Sequence, residues 1–139
     1  MTTARDVMHV GATCIGEHDT LQTAAEMMRR LDVGALPICG DEDRLLGIIT
    51  DRDIVVRCLG AGMDPARTTA RDLAQGKPFT VDADASVEHA LQLMEQHKIR
   101  RLPVVEEHRL VGMISEADIS RHLSDEKIAH FVEAVCAPA

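Results

Sequence analysis

The stretch GIITDRDI at positions 47–54 returns as GMISEADI at positions 112–119. Both copies contain a glycine, two apolar residues, a hydroxyl residue and, three positions later, an aspartate followed by isoleucine. A second pair accompanies them, since ARDV at 4–7 returns as ARDL at 70–73. Matching stretches in the same order indicate that the chain contains one module twice.

The spacing of the copies locates a single deletion in the second one. ALPI at 35–38 and its partner RLPV at 101–104 are 66 positions apart, whereas the stretches that begin at 47 and 112 are 65 apart. The missing position falls near Asp43, in a turn-rich segment. A solenoid unit has roughly 20 to 50 residues, so this longer repeat indicates a duplicated small domain. The predicted organisation is a first repeat with its linker over 1–66, a second repeat over 67–123 and a C-terminal helical extension over 124–139.

The pattern within each copy predicts the order β-α-β-β-α after a short helical turn. The fold class is therefore α/β (α+β), with two pseudo-symmetric repeats packed together. Apolar residues at 21, 24, 25 and 28, and again at 87, 90, 91 and 94, have helical spacing. Strands are expected near 13–15 and 79–81, hairpins over 35–50 and 102–115, and helices from 51, 116 and 125. One copy buries little surface alone, so we expect the two copies to pack against each other as obligate partners. Clefts of ligand size are then expected between them.

Composition excludes several classes of function. The 139 residues carry a net charge of −8 and 1% aromatic residues, with no long run of lysine and arginine. An acidic chain with few stacking side chains is poorly suited to nucleic acid. No apolar run is long enough to span a bilayer, and the first residues lack the apolar core of an export signal. We expect a cytoplasmic protein that binds neither nucleic acid nor membrane.

The repeated stretches resemble the cystathionine-β-synthase (CBS) domain. The resemblance rests on the Leu-Pro-(Ile/Val) strand and the Gly-apolar-apolar-(Thr/Ser)-x-x-Asp-Ile motif, and it covers about 4–123. Two CBS domains in tandem resemble a Bateman module. The resemblance implies a non-enzymatic sensor whose clefts bind an adenine nucleotide (AMP, ADP, ATP or a related metabolite) as a regulatory ligand, with no required cofactor. It also implies a homodimer that signals to a separate effector protein.

The same resemblance assigns the hydroxyl and the carboxylate of each motif to the ligand. Thr50 and Asp53 define one site, and Ser115 and Asp118 define the other. The hydroxyl is directed to phosphate, which a helix N-terminus also favours, and the carboxylate is directed to ribose. The remaining implied contacts are Ile48 and Met113 against adenine, Phe79, Ile99 and Arg100 facing Thr50 and Asp53, and Thr13, Val33 and Gly34 facing Ser115 and Asp118.

The two implied sites are not equivalent. Arg101 precedes the Leu-Pro pair of the second copy, where the family often has a phosphate-binding arginine. Its counterpart in the first copy is Ala35. We therefore expect the site with Ser115, Asp118 and Arg101 to be the better anion site.

Simpler alternatives exist for these residues. Both hydroxyl–aspartate motifs have the spacing of a capping box, so they predict a helix start with or without a ligand. Arg100 and Arg101 are equally consistent with a solvated pair ahead of a strand.

Two of the four cysteines form a pair with no counterpart in the second copy. Cys14 and Cys39 fall on strands expected to be neighbours, whereas the second copy has Thr80 and Val105 there. Strand placement favours a disulfide, and a cytoplasmic location favours reduced thiols. The sequence contains no Cys-x-x-Cys and no His-x-x-x-His pair, so these motifs predict no metal site.

The cysteine pair supports a second hypothesis. The chain would be a stress-related structural or redox-responsive CBS protein, with a Cys14–Cys39 disulfide, that does not bind nucleotide. An enzyme is the third option, but no local arrangement of nucleophile and base supports it, and no catalytic residue is assigned.

Overall fold

The computed structural model describes residues 1–10, 13–74, 76 and 78–138. Helices and strands follow the predicted order in both repeats, which confirms the fold class. Their bounds are α1 (Ala4–Val7), β1 (Ile15–Gly16), α2 (Leu21–Leu31), β2 (Ala35–Cys39), β3 (Leu45–Thr50), a π-helix (Asp53–Leu59), α3 (Ala70–Leu73), β4 (Val81–Asp82), α4 (Val87–His97), β5 (Arg101–Glu106), β6 (Arg109–Ser115), α5 (Glu116–His122) and α6 (Asp125–Cys136).

The chain forms two compact units. The first unit is Thr13–Pro78, and the second unit is Met1–Ala12 together with Phe79–Ala139. Each unit therefore contains the strands of one repeat and the short opening helix of the other repeat. Ala4 and Val7 of α1 lie in the core of the second unit, whereas Ala70 and Leu73 of α3 lie in the core of the first.

The first unit is built on the sheet β1-β2-β3. β1 runs parallel to β2 from the pair Ile15 and Ile38, and β2 runs antiparallel to β3. β1 begins at Ile15, two residues later than predicted, because its pairing with β2 begins there. The core beneath this sheet contains Ile15, Leu21, Ala24, Met28, Leu36, Ile38, Ile49, Ile54, Cys58, Ala70 and Leu73.

The second unit repeats this plan with the sheet β4-β5-β6. The register of β5 and β6 shifts at Val104/Val105, as that of β2 and β3 does at Ile38/Cys39. The N-terminal segment adds to this sheet, since the backbone of His9 exchanges hydrogen bonds of 2.9 and 3.1 Å with Met113. The last helix, predicted from Asp125, begins there and contributes Phe131 and Val135 to the core.

The helices begin in the same way in both repeats. At the start of α2, the hydroxyl oxygen of Thr20 accepts a hydrogen bond from the amide of Thr23. At the start of α4, the hydroxyl oxygen of Ser86 accepts one from the amide of His89. The short helices α1 and α3 both open with a reciprocal Thr-x-x-Asp capping box. Among the described residues, none of the helices combines the length and apolar character that crossing a bilayer requires.

The helix that follows the hairpin differs between the repeats. In the second unit it is the α-helix α5. In the first unit the backbone is π-wound over Asp53–Leu59, and the amide of Gly60 donates to the carbonyl of Val55 at 2.8 Å. Such wider turns are rare and are often found at functional sites.

Cys14 and Cys39 form a disulfide within the first unit, with their Cα atoms 5.6 Å apart. Cys14 immediately precedes β1, and Cys39 ends β2, the strand paired with β1. Of the two alternatives that the sequence left open, the structure therefore contains the disulfide. Cys58 is a buried free thiol and Cys136 an exposed one.

Candidate ligand-binding motifs

The first motif joins the end of β3 to the following helix. The Asp53 carboxylate accepts the amide of Thr50 at 3.0 Å, and the Thr50 hydroxyl oxygen accepts the amide of Asp53 at 3.1 Å. Arg57 Nη1 lies 3.6 Å from Asp53 Oδ1 and donates to the carbonyl of Leu73 at 2.7 Å. The predicted hydroxyl and carboxylate are therefore together, at the point where the strand becomes a helix.

The second motif has the same arrangement at the junction of β6 and α5. Asp118 Oδ2 accepts the amide of Ser115 at 2.8 Å and its hydroxyl at 3.0 Å. Two further side chains reach the same carboxylate: His9 Nδ1 is 2.7 Å from Oδ2, and Arg121 Nη2 donates to Oδ1 at 2.8 Å. The Asp118 side chain is only 2% exposed.

These contacts decide the charge of Asp118. Burial alone would raise the pKa of this carboxyl group. The hydrogen bonds from His9, from the amide and hydroxyl of Ser115, and from Arg121 together outweigh burial and hold its pKa below the ordinary value. Asp118 is consequently a buried, ionised acceptor.

The other residues assigned to the first unit lie around its hairpin. Thr13 and Val33 are exposed, and Ile48 is half-buried on β3 opposite Pro37. The carbonyl of Gly34 accepts the amide of Asp51 at 2.9 Å, just ahead of the π-helix.

In the second unit, Arg101 and Met113 lie on the two strands of the hairpin. Arg101 is exposed at the start of β5 and pairs with Ser115 across to β6, which places a cation on the strand next to the hydroxyl. Met113 is buried, pairs with Pro103 and is bridged to the backbone of His9.

The remaining assigned residues of this unit precede β5 or lie before α4. Phe79 is exposed and stacks on the ring of His97, with 3.7 Å between centroids. Ile99 is half-buried against the core. Arg100 is exposed and contacts Glu116 and the sulfur of Cys136, each at 3.6 Å. The pairing of these residues with Thr50 and Asp53, and of Thr13, Val33 and Gly34 with Ser115 and Asp118, stays a prediction.

His9 and Arg121 were missed by the sequence analysis. His9 is 109 positions from Asp118, and no repeated motif includes it. Arg121 follows Asp118 by three positions on a predicted helix, which is a spacing at which helical side chains meet, so this contact had a signal.

Comparison with known proteins identifies the family. The CBS domain profile matches residues 4–60 and again residues 70–125. The chain belongs to the CBS-domain family, and it is a tandem CBS pair, a class of regulatory module.

The chain is similar to Hypoxic response protein 1 of Mycobacterium tuberculosis, with 57% identity over 138 residues that span 99% of this chain and 96% of that protein. A crystal structure of Hypoxic Response Protein I matches with a TM-score of 0.82 and 58% identity over 88% of this chain and all of that one. CBSX2 in complex with AMP matches with a TM-score of 0.76 over 87% of this chain and 95% of that one, and at 24% identity it shows the shared fold alone.

The Hypoxic Response Protein I crystal structure contains two coordinated zinc ions. In the parts of this chain that the structure describes, no three His, Cys, Asp or Glu side chains lie close enough together to hold a metal ion. The described residues of one chain therefore do not form a complete zinc site.

Proposed function

We propose that this CBS pair is a non-enzymatic sensor that binds an adenine nucleotide at one or both of its hydroxyl–aspartate motifs. One observation carries the proposal: in both motifs the hydroxyl and the carboxylate meet at a strand-to-helix junction. A carboxylate accepts hydrogen bonds from ribose hydroxyls, and the neighbouring hydroxyl and Arg101 suit a phosphate. CBSX2, which shares the fold, was crystallised with AMP.

Isothermal titration calorimetry of the full chain with AMP, ADP and ATP tests the proposal. Asp53→Ala should weaken binding at its site about 10-fold to 100-fold, because one or two hydrogen bonds to a charged acceptor are lost. Asp72→Ala is the matched control. Asp72 forms the same reciprocal capping box with Thr69, but at the short helix α3 rather than after a hairpin. Absence of heat and of a thermal shift with all three nucleotides at millimolar concentration would refute nucleotide sensing.

The regulatory output is also part of the proposal. The chain acts in the cytoplasm as a homodimer and transmits nucleotide binding to a separate effector protein. Exposed apolar side chains on the π-helix support self-association, since Val55, Val56 and Leu59 are each about half or more exposed. Light scattering should give the mass of two chains, and a monomer at micromolar concentration would exclude the dimer.

A redox-responsive stress protein is the second candidate, and the Cys14–Cys39 disulfide favours it. The similarity to a protein named for its hypoxic response points in the same direction. In this case the disulfide, and not a nucleotide, controls the state of the first unit. Titration with AMP in the presence and absence of reductant separates the candidates, because a purely redox-responsive protein shows no nucleotide heat in either condition.

A further inference from the structure

The two motifs differ in how much of the carboxylate is free. In the second motif, Oδ2 of Asp118 accepts hydrogen bonds from the Ser115 amide, the Ser115 hydroxyl and His9, which is more than its two lone pairs, and Oδ1 accepts one from Arg121. A ribose offers two neighbouring hydroxyl donors. Among the described residues, Asp118 has at most one position left for them, on Oδ1 beside Arg121, and its side chain is only 2% exposed.

The first motif is open by comparison. The Asp53 side chain is 17% exposed, and the Thr50 amide donates to its Oδ2 atom. Arg57 lies 3.6 Å from Oδ1 and directs a hydrogen bond to the carbonyl of Leu73 instead. Within the described residues, Asp53 therefore keeps acceptor positions for two hydroxyl donors.

We propose that His9 and Arg121 close the second motif to ribose, so that the chain binds one nucleotide, at Thr50 and Asp53. This inference rests on the proposed function and determines which site performs it. It reverses the ranking expected from Arg101, because Arg101 supplies a cation for phosphate but no acceptor for ribose. A nucleotide whose two ribose hydroxyls both bind Asp118 must displace at least one of these ionic hydrogen bonds, which weakens binding roughly 10-fold or more for each one lost.

The repeat itself supplies the variant that opens the second motif. His9 aligns with Gln75, which lies outside the described residues, and Arg121 aligns with Val56. The double variant His9→Gln/Arg121→Val therefore gives the second repeat the residues of the first. His9 holds β6 through its backbone, and the side chains of His9 and Arg121 are 47% and 62% exposed, so the fold should be retained.

The experiment is calorimetric titration of AMP into the full chain. We expect one AMP per wild-type chain and two per chain of the double variant. We also expect Asp53→Ala to lose the single wild-type site, and the triple variant that combines all three changes to bind one AMP. Two AMP per wild-type chain, or one per chain of the folded double variant, would overturn the inference and leave the nucleotide function standing. No AMP bound by any variant would overturn both.

A second measurement uses only the wild-type chain, in case the double variant does not fold. In a 15N-labelled sample titrated with AMP, the amides of Thr50 and Asp53 should shift at lower AMP concentration than those of Ser115 and Asp118, by a factor of about 10 or more. Simultaneous saturation of both pairs, or earlier saturation of Ser115 and Asp118, would contradict the inference.

Discussion

At the scale of single residues, Asp118 is held by four hydrogen bonds to its carboxylate. Among the residues that the structure describes, it carries the only buried charge. A buried carboxylate is tolerated only where donors surround it, and here they come from three places: the N-terminal segment, the end of β6 and the following turn of α5. Asp118 therefore links the first residues of the chain to the second hairpin.

Acid should remove the contribution of Asp118 to stability. Folding lowers the pKa of this carboxyl group, so its contribution is complete above the ordinary aspartate pKa and is lost as the pH falls through the lowered value. Asp118→Asn should cost about 1–3 kcal/mol at pH 7, because it leaves donors without a charged acceptor. Urea unfolding at pH 7, 5 and 3 should show the difference from wild type shrinking with acid.

Asp41→Asn is the control for this experiment, because Asp41 lies in the exposed turn between β2 and β3. It should follow the wild-type pH dependence. A difference between wild type and Asp118→Asn that stays constant from pH 7 to 3 would show that the charge of Asp118 is not what stabilises the fold.

The residues of both motifs could be predicted because their signal is local. A hydroxyl residue and an aspartate three positions later form the same capping contacts wherever a helix starts, and the repeat doubled that signal. His9 could not be predicted, because its contact with Asp118 depends on which sheet the N-terminal segment joins. The sequence also could not predict a ribose at either motif, because a helix cap without a ligand has the same spacing.

At the scale of elements, the disulfide fastens the start of β1 to the end of β2. It closes a loop between cysteines 25 positions apart, which contains α2. Cys14→Ser should lower the free energy of unfolding by about 3–4 kcal/mol, because the unfolded chain regains the entropy of that loop. Reductant should give the same loss in the wild type and none in the variant, measured by urea unfolding.

Cys136→Ser is the control for the disulfide, since this thiol is exposed and free. It should leave stability and the response to reductant unchanged. Equal stability of the wild type with and without reductant would contradict a stabilising Cys14–Cys39 bond, and unlinked peptides after non-reducing digestion would exclude the bond itself.

The close approach of the N-terminal segment to β6 gives a second element-scale prediction. A Cβ atom added at Gly112 would overlap the sulfur of Met8 and lie 2.9 Å from the carbonyl oxygen of His9. Gly112→Ala should therefore destabilise the chain by about 1–3 kcal/mol, since backbone has to move. Thermal unfolding of the two proteins measures the loss.

Gly47 aligns with Gly112 and is the matched control. Among the described atoms, a Cβ at Gly47 would meet the Cβ of Ala74 and a methyl carbon of Ile38 at 3.5 Å, which is ordinary van der Waals contact. Gly47→Ala should cost less than Gly112→Ala. The reverse order would show that the N-terminal segment does not press on β6 in solution.

Both hairpins could be predicted at this scale, but the π-helix could not. Turn-rich residues between apolar runs located β2 and β3 without error. The helices that follow the two hairpins begin with matching motifs, yet the first is a π-helix and the second, α5, is an α-helix. The apolar spacing that predicts a helix does not distinguish these windings over two turns.

At the scale of the whole molecule, the duplication predicted the two sheets but not the exchange of the short helices. The repeat places α1 ahead of β1 and α3 ahead of β4, so adjacency in sequence assigns each helix to its own repeat. The structure places Val7 in the core of the second unit and Leu73 in the core of the first. An apolar residue on a short helix shows that the helix packs against a core, but not which core.

Because the two short helices are exchanged, the equivalent residues Val7 and Leu73 should stabilise different cores. Val7 is 2% exposed and Leu73 is 5% exposed. Val7→Ala should cost about 1–3 kcal/mol and Leu73→Ala about 2–5 kcal/mol, because each leaves a cavity in a packed core. In 15N correlation spectra, Val7→Ala should shift amides of residues 79–138, far along the chain, and Leu73→Ala those of residues 13–68. If Val7→Ala instead shifted mainly residues 13–68, each helix would belong to its own repeat, and the contact between His9 and Asp118 would lose its structural basis.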